Sequence, residues 1–187
     1  MIVKFNDKSI NGNIFFTSDT HFGHKNILKY CNRPFNNIDI MNYEIIQRWN
    51  SKINNNDICF HLGDFCFGDR NDDFDKYFNQ LNGKIVWIKG NHDKLAYKNK
   101  DKFYDYNLGY LEINIGEQSI TLCHYAMITW NKSHYGSWML YGHSHGMLKD
   151  NNNSLSMDIG TDTNDYYPYS YNEIKELLGN KVIEKGE

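Results

Sequence analysis

Histidine, aspartate and asparagine recur along the chain in short groups whose spacing suits metal binding. The groups are Asp19-Thr20-His21, Gly63-Asp64, Gly90-Asn91-His92-Asp93, His124 and Gly142-His143-Ser144-His145. In an extended segment residues i and i+2 face the same way, so Asp19 and His21 can reach one ion. His143 and His145 repeat this spacing. Carboxylate, amide oxygen and imidazole without thiolate suit Mn, Fe or Zn, whereas Ca and Mg favour oxygen alone. The pattern therefore predicts a transition-metal site.

The elements that must position these groups are short strands that end directly before them. Apolar, strand-like segments occupy residues 13–17, 57–62, 84–89, 119–123 and 138–141, and each runs into one of the groups. The C-terminal ends of strands in an α/β sheet converge on one edge, where ligands usually bind. We therefore expect the five groups to form a single site, rich in oxygen and nitrogen donors.

The remaining elements predict the fold class. Helices are expected over residues 39–53, 72–81 and 171–178, and further strands over residues 108–115 and 154–157. The last helix should begin at a capping box formed by Ser170 and Glu173 and end at Gly179. Strands and helices alternate in the first half, and a hairpin follows in the second. The sequence thus predicts a layered α/β fold with mixed sheets, in a single domain spanning residues 1–187.

Composition limits the classes of protein and of partner. The chain has 187 residues, 40% of them hydrophobic and 23% charged, as in globular domains. A net charge of −3, with eight His but three Arg, disfavours a basic clamp on long nucleic acid. The four Cys form no CxxC pair and indicate reduced thiols. Since no signal peptide or membrane span is visible, we expect a cytoplasmic protein without a membrane partner.

Taken together and in this order, the five groups resemble the motifs of the calcineurin-like metallophosphoesterases. They span residues 19–145, so the resemblance covers most of the chain. The longer runs at residues 19–26 and 130–136 are similar to a small bacterial and phage branch of predicted phosphoesterases. The resemblance implies an α/β/β/α-type sandwich and an enzyme that hydrolyses phosphoric ester bonds.

The resemblance also implies two divalent transition-metal ions, with Mn most expected and Fe, Zn, Ni or Co as alternatives. One ion would be bound by Asp19, His21, Asp64 and His145, and the other by Asp64, Asn91, His124 and His143. Asp64 would bridge the ions, and a hydroxide held between them would attack phosphorus. His92 would donate a proton to the leaving oxygen or stabilise charge, and Asp93 would orient the His92 imidazole.

Six further residues are candidates for contact with the substrate: His24, Asn26, Arg33, Trp130, Asn131 and His134. A guanidinium such as that of Arg33 can hold a phosphate through two N–H groups. The alternatives are helix capping for His24 and Asn26, an ordered surface loop for His134, and a surface ion pair for Arg33. His61 lies inside an apolar strand, which favours a hydrogen-bonded core residue.

The predicted function is hydrolysis of a P–O bond in a small phosphorylated, nucleotide-like substrate, with a phosphodiester favoured over a monoester. A nuclease or nucleic-acid-repair enzyme of the same fold is the first alternative. It should carry a basic track to the metals, and the sequence shows no basic cluster. A non-catalytic metal-binding scaffold is the second alternative. Such proteins usually lose ligands or the catalytic His, and all are present here. The sequence leaves the oligomeric state open.

Overall fold

The computed structural model describes residues 12–149 and 154–181, together with the backbone of residues 2–5. The described residues form ten strands: β1 (Ile2–Phe5), β2 (Ile14–Thr17), β3 (Ile58–His61), β4 (Lys84–Ile88), β5 (Asp105–Asn107), β6 (Tyr110–Ile115), β7 (Gln118–Cys123), β8 (Trp138–Tyr141), β9 (Ser156–Asp158) and β10 (Tyr169–Ser170). They also form five α-helices: α1 (Ile27–Tyr30), α2 (Ile38–Lys52), α3 (Asn71–Phe78), α4 (Lys94–Lys98) and α5 (Tyr171–Gly179). Within these residues no helix combines the length and the apolar character needed to cross a membrane.

The strands make two five-stranded sheets. In the first sheet, of order β10-β2-β3-β4-β5, strands β2 to β5 are parallel and β10 runs antiparallel to β2. In the second, of order β1-β6-β7-β8-β9, the β6–β7 pair is antiparallel and the other pairs are parallel. Both sheets are therefore mixed, and the expected hairpin is the β6–β7 pair.

The main core lies between the two sheets, because each strand alternates its side chains between two faces. Phe16 and Phe60 of the first sheet stack with ring centroids 5.4 Å apart. They share one buried cluster with Leu122 and Leu140 of the second sheet and with Ile174 of helix α5. Burial of each such side chain contributes about 1.5–3 kcal/mol, which holds the two sheets face to face.

Helices α2, α3 and α4 cover the other face of the first sheet. Helix α2 begins where the Asn37 side chain accepts a hydrogen bond from the Ile40 N–H. Met41, Ile45 and Trp49 recur at helical spacing and form its buried stripe. The stripe packs with sheet residues Phe15, Cys59, Ile85 and Trp87. This packing positions the strand ends that carry the candidate ligands.

The outer face of the second sheet is packed by a loop. Cys123 of β7 and Met139 and Tyr141 of β8 form a small cluster there. Trp130 of the 125–137 loop packs against this cluster. The loop between two of the motifs is therefore anchored to the sheet.

This arrangement confirms the predicted layered α/β fold with mixed sheets. Helix α5 begins at the predicted capping box, in which Ser170 and Glu173 each accept the other's backbone N–H. The helix ends at Gly179, as predicted, and Asn180 is its C-cap. The short helices α1 and α4 are missed by the sequence analysis, since four or five residues bury too few side chains to show a period.

Candidate metal centre

The loops that follow the strands meet at one edge of the two sheets, as the sequence predicts. Within the first sheet, the His21 N–H donates to the Asp64 carbonyl over 3.0 Å. Between the sheets, Nδ1 of His124 hydrogen-bonds to the Leu62 carbonyl over 2.7 Å. The candidate ligands from both sheets are therefore brought into one site.

Five candidate ligands have a backbone conformation that residues other than glycine rarely adopt. The φ angles are 59° at Asp19, 49° at His21, 54° at Asp64, 68° at His143 and 48° at His145. Each such residue costs on the order of 1–3 kcal/mol and persists only where its surroundings hold it. Strain of this kind clusters at binding and catalytic sites, and five of the nine non-glycine residues with positive φ in the described part of the chain are candidate ligands.

Two glycines allow the loops to approach each other closely. A Cβ at Gly90 would lie 2.4 Å from Oδ1 of Asp64. A Cβ at Gly142 would lie 2.1 Å from Oγ of Ser18 and 2.4 Å from Oδ2 of Asp19. Any side chain at these positions would displace the two carboxylates, so the glycines before the motifs are required by packing.

The first ligand group consists of Asp19, His21 and His145, whose donor atoms all lie within 4.8 Å of one another. Oδ1 of Asp19 is 3.9 Å from Nε2 of His21 and 4.0 Å from Nε2 of His145. The other oxygen, Oδ2, accepts the His143 N–H over 2.9 Å. Asp19 therefore turns one oxygen to the protein and the other to its fellow ligands.

The second ligand group consists of Asp64, His124 and His143, again within 4.8 Å. Asn91 joins it, with Oδ1 2.8 Å from Nε2 of His124. Oδ2 of Asp64 lies 3.7 Å from Nε2 of His124 and 3.5 Å from Nε2 of His21 in the first group. Two donors bound to one ion at about 2.1 Å with tetrahedral geometry are about 3.4 Å apart. Oδ2 of Asp64 thus lies near one histidine of each group, and the bridging role that the resemblance implies stays a prediction.

The donor atoms of the first group fit a divalent cation. Oδ1 of Asp19 and Nε2 of His21 are buried and have no hydrogen-bond partner among the described residues. Such an atom costs on the order of 1–3 kcal/mol. Burial raises the pKa of Asp19 to about 6. Burial, assisted by Arg33, lowers the pKa of His21 well below its usual value. An ion would satisfy both atoms and remove both penalties.

The order of these motifs along the chain matches a known domain. The model of the calcineurin-like phosphoesterase superfamily domain matches residues 13–159. The chain belongs to this superfamily. The family typically binds divalent metal ions, and both ligand groups of this calcineurin-like phosphoesterase lie within the matched segment.

Two proteins are similar to this phosphoesterase over most of its length. The uncharacterized protein MJ1445 of Methanocaldococcus jannaschii is 35% identical over an alignment of 182 residues, and the match covers 93% of this chain and 93% of that protein. The crystal structure of AQ665, a protein of unknown function from Aquifex aeolicus, has a TM-score of 0.69 and 25% identity. The match covers 89% of this chain and all of that one. The likeness therefore extends over the fold and not only over the motifs.

His92 lies at the rim of the phosphoesterase site. Its backbone N–H donates to Oδ1 of Asp64 over 2.8 Å, and the residue is exposed. Its ring centroid is 6.0 Å from that of His21 and 5.3 Å from that of Phe67. An exposed imidazole beside a ligand group is suitably placed for an acid, and the catalytic role of His92 stays a prediction.

The structure contradicts the predicted role of Asp93 in orienting His92. The Asp93 carboxylate is buried and points into the fold. It accepts hydrogen bonds of 2.7–3.1 Å from the backbone N–H groups of Asp64, Phe65 and Gly90 and from the indole N–H of Trp87. These four donors occupy both oxygens. Asp93 thus ties together the loops that carry Asp64 and Asn91, and it acts on the backbone instead of on an imidazole.

The predicted phosphate contact of Arg33 is also wrong. The side chain is buried, and Nε and Nη2 bind the two carboxylate oxygens of Asp162 at 2.8 Å and 2.7 Å. The other N–H groups donate to the carbonyls of Thr20 (3.2 Å) and Asp19 (2.7 Å) and to the sulfur of Met41 (3.5 Å). All five N–H donors are therefore used within the protein, and none is left for a phosphate.

Asp162 is a site residue that the motifs do not reveal. Its Oδ2 lies 2.7 Å from Nδ1 of His145. Burial favours protonation of Asp162, but the hydrogen bonds from His145 and Arg33 outweigh it and lower its pKa. Burial likewise lowers the pKa of His145, but the hydrogen bonds to Asp162 and Cys31 and the charges of Asp19 and Asp162 together outweigh it, and the pKa rises to about 10. The sequence offered one indication of this role, the position of Asp162. It follows the end of β9 just as the other groups follow the ends of their strands.

His24 lies beside the first ligand group, where its contact with the substrate stays a prediction, and Phe67 is a neighbour that the sequence analysis missed. The two rings stack with centroids 3.7 Å apart and planes 9° from parallel. Nδ1 of His24 lies 3.3 Å from Nδ1 of His21, so His24 contacts a candidate ligand directly. Phe67 follows Asp64 by three residues, and this proximity was its only signal.

Tyr125 is a second missed residue and lies beside the second ligand group. Its ring is edge-on to those of His143 and His124, with centroids 4.8 Å and 5.0 Å away. The side chain is 48% exposed, so one part of the ring remains open to solvent. Its position directly after His124 was the only signal in the sequence.

The other candidates for substrate contact are not joined to the ligand groups by any contact described. Asn26 is exposed at the N-cap of α1. Asn131 donates its amide to the carboxylate of Glu112 in β6 over 3.0 Å, and Trp130 packs against the cluster of Cys123, Met139 and Tyr141. The exposed His134 ring packs on its neighbour Tyr135. Contact of these four residues with the substrate stays a prediction.

His61 is the hydrogen-bonded core residue that its strand predicts. Nδ1 accepts the Gly63 N–H over 3.2 Å, and Nε2 lies 3.0 Å from the Thr20 hydroxyl. Because that hydroxyl donates to the Phe65 carbonyl, Nε2 of His61 must carry the hydrogen. Burial lowers the pKa of His61 to about 3, so the ring is neutral in the fold.

Proposed function

We propose that this protein hydrolyses a phosphodiester bond in a small, nucleotide-like substrate, using two divalent transition-metal ions. The ligands would be Asp19, His21, Asp64 and His145 for one ion and Asp64, Asn91, His124 and His143 for the other. When bound, the ions would supply a nucleophile from water and neutralise charge on the phosphoryl oxygens. Mn²⁺ is the ion proposed, with Fe, Zn, Ni and Co as alternatives.

The observation that carries this proposal is the position of Asp64 between the two ligand groups. Its Oδ2 is 3.5 Å from Nε2 of His21 and 3.7 Å from Nε2 of His124. Its Oδ1 is held by the His92 N–H over 2.8 Å, so the carboxylate is oriented before any ion binds. The exposed His92 imidazole is assigned proton donation to the leaving oxygen.

The charges around the site favour a diester over a monoester. A phosphomonoester carries about two negative charges near neutral pH, and a diester carries one. Arg33 is the Arg nearest to the first metal loop, and its donors are all used by protein acceptors. No guanidinium from this loop is therefore left to neutralise a second charge.

Aromatic rings at the site favour a substrate that contains a flat ring. Phe67 and His24 stack beside the first ligand group, and Tyr125 lies beside the second with half of its surface open. Stacking of a base on an exposed aromatic side chain is worth about 1–3 kcal/mol. A nucleoside next to the scissile phosphate would use this contact.

The test compares kcat/KM for p-nitrophenyl phosphate, bis(p-nitrophenyl) phosphate and the p-nitrophenyl ester of thymidine monophosphate, with Mn²⁺, Ni²⁺, Zn²⁺ and Mg²⁺. Both diesters should be hydrolysed faster than the monoester. Stacking of the thymine on Tyr125 should give the thymidine ester a further gain in kcat/KM. Tyr125→Ala should remove that gain, whereas Tyr43→Ala, an exposed tyrosine of α2, should not. Faster hydrolysis of the monoester would overturn the diester assignment. Absence of turnover with every metal would overturn the activity.

A nuclease of the same fold is the second candidate, because three lysines of β4 and its neighbouring segments each pack on a tyrosine ring. The Nζ atoms of Lys84, Lys89 and Lys100 lie 4.9–5.3 Å from the centroids of nearby tyrosine rings. Lys89 directly precedes the motif that contains Asn91. Salt-sensitive binding of a fluorescent single-stranded oligonucleotide, abolished by Lys89→Glu with Lys100→Glu, would favour this candidate, and no binding at low salt would exclude it.

The compartment proposed for this activity is the cytoplasm. All four cysteines are free thiols, and Cys59, Cys66 and Cys123 are buried. Free thiols persist in reducing compartments. Cell fractionation with an antibody against the protein tests the proposal, and recovery in a secreted or membrane fraction would contradict it.

A further inference from the structure

Three imidazoles that face the candidate metal centre are fixed by three different partners. His124 is held by a backbone carbonyl over 2.7 Å, and His21 lies 3.3 Å from the imidazole of His24. His145 is held by the Asp162 carboxylate over 2.7 Å. A carboxylate fixes the tautomer of a metal-binding imidazole and raises its basicity. The donor strength of His145 therefore depends on Asp162.

Asp162 is itself held by Arg33 through a two-pronged ion pair. Nε and Nη2 of Arg33 donate to Oδ1 and Oδ2 of Asp162 at 2.8 Å and 2.7 Å. The Arg33 side chain is fully buried and that of Asp162 is 8% exposed. A guanidinium fork matches a carboxylate in this geometry, which a lysine cannot reproduce. The carboxylate that supports His145 is therefore kept ionised and fixed in direction.

The same guanidinium supports the backbone of the first metal loop. Nη2 of Arg33 donates to the Asp19 carbonyl over 2.7 Å, and Nη1 donates to the Thr20 carbonyl over 3.2 Å. Asp19 and His21 flank these carbonyls and have φ angles of 59° and 49°, so the loop needs such support. Arg33 thus supports the loop that carries Asp19 and His21, and Asp162 holds His145. These three candidate ligands form one ligand group.

We propose that Arg33 and Asp162 are positioning residues that set the affinity of one ion, the ion bound by the group of Asp19, His21 and His145. Among the contacts described, none joins this pair to the ligands that belong to the second group alone: Asn91, His124 and His143. The pair therefore makes the two ion sites unequal, and its loss weakens one site selectively. The inference rests on the proposed function, because it requires both ligand groups to bind ions.

The test measures metal content as well as activity. Metal-free protein is reconstituted with Mn²⁺, separated from free ion and analysed for Mn, and its EPR spectrum is recorded. The wild type should bind two Mn²⁺ with the spectrum of a coupled pair. Asp162→Asn and Arg33→Lys should bind the second-group ion as before and the other ion 10–100-fold more weakly, with the spectrum of a single Mn²⁺. Excess Mn²⁺ should restore the coupled spectrum.

A neighbouring ion pair supplies the matched control. Arg48 binds Asp165 over 2.9 Å, and the guanidinium carbons of Arg48 and Arg33 both lie 5.6 Å from the centroid of Tyr166. Asp165→Asn removes a charge three residues from Asp162 without touching a ligand. This variant should keep both ions at wild-type affinity.

The outcomes separate this inference from the proposed function. If the wild type binds no ion, the two-ion site itself fails. If the wild type binds two ions and both variants also keep two at unchanged affinity, or lose both, the positioning role is overturned. Arg33→Lys guards against a folding defect in Asp162→Asn, because it keeps the charge. Thermal unfolding of each metal-free variant confirms that ion content is measured on folded protein.

Discussion

The backbone N–H of His92 donates a hydrogen bond to Oδ1 of Asp64 over 2.8 Å. The residue assigned to proton donation is therefore tied to the carboxylate that lies between the two ligand groups. Because the contact uses the main chain of His92, its side chain can be changed without releasing Asp64. Mutation can thus separate the two roles.

His92→Ala should lower kcat by about 10²–10⁴-fold, because general acid catalysis contributes that much. Its Mn content should stay at the wild-type value, since the hydrogen bond to Asp64 is retained. Turnover of a p-nitrophenyl diester and metal analysis of the same preparation check both statements. A parallel loss of metal and activity would show that His92 is structural.

Asp64→Asn should weaken the binding of both ions. The substitution keeps an oxygen that can accept the His92 N–H, but it removes the negative charge placed 3.5 Å from His21 and 3.7 Å from His124. Mn titration of the metal-free variant checks this expectation, with wild type as the reference. Two ions retained at wild-type affinity would contradict the bridging position.

Asp93→Ala should lower the free energy of unfolding by at least about 3 kcal/mol. It leaves three backbone N–H groups and the Trp87 indole N–H buried without an acceptor, at about 1–3 kcal/mol for each such group. Urea unfolding in a chelator checks this, with Asp101→Ala, an exposed aspartate, as control. Unchanged stability with lost turnover would restore the role in orienting His92.

His61 should make the protein less stable as the pH falls. Its pKa is about 3 in the fold, against an ordinary value of 6.5, so the unfolded chain binds the proton first. The contribution of neutral His61 to the free energy of unfolding is complete above pH 6.5. It declines by about 1.4 kcal/mol per pH unit as the pH falls toward 3. Unfolding of metal-free protein between pH 6.5 and 4.5 should show a shallower pH dependence for His61→Gln. Equal slopes would mean that His61 is charged in the fold.

The candidate ligands could be predicted from the sequence because their signal is local. Asp19, His21, Asp64, Asn91 and the three later histidines each follow a short apolar strand, and parallel strands bring their C-terminal ends to one edge. The same logic predicts helices α2, α3 and α5, and in α2 the buried residues Met41, Ile45 and Trp49 repeat at helical spacing. Strand and helix periods depend on neighbours in the chain, so one sequence displays them.

Arg33, Asp93 and Asp162 show where local reasoning fails. The role of each was predicted, or missed, from its neighbours in the chain, but each has at least one partner that lies far away in sequence. Arg33 binds a carboxylate 129 residues on, and Asp93 accepts from residues 28 and 29 positions before it. A charged side chain near a motif has the same appearance in sequence whether it faces the substrate or the protein.

The sequence by itself determined the family, the α/β layering and the set of residues able to bind metal ions, because these depend on residue type, order and period. Only the tertiary structure decided which carboxylates face ions and which face the backbone. That choice depends on which buried donors lack a partner once the sheets have packed. A buried polar group must be satisfied by whatever lies within about 3 Å, and the sequence does not show that neighbour.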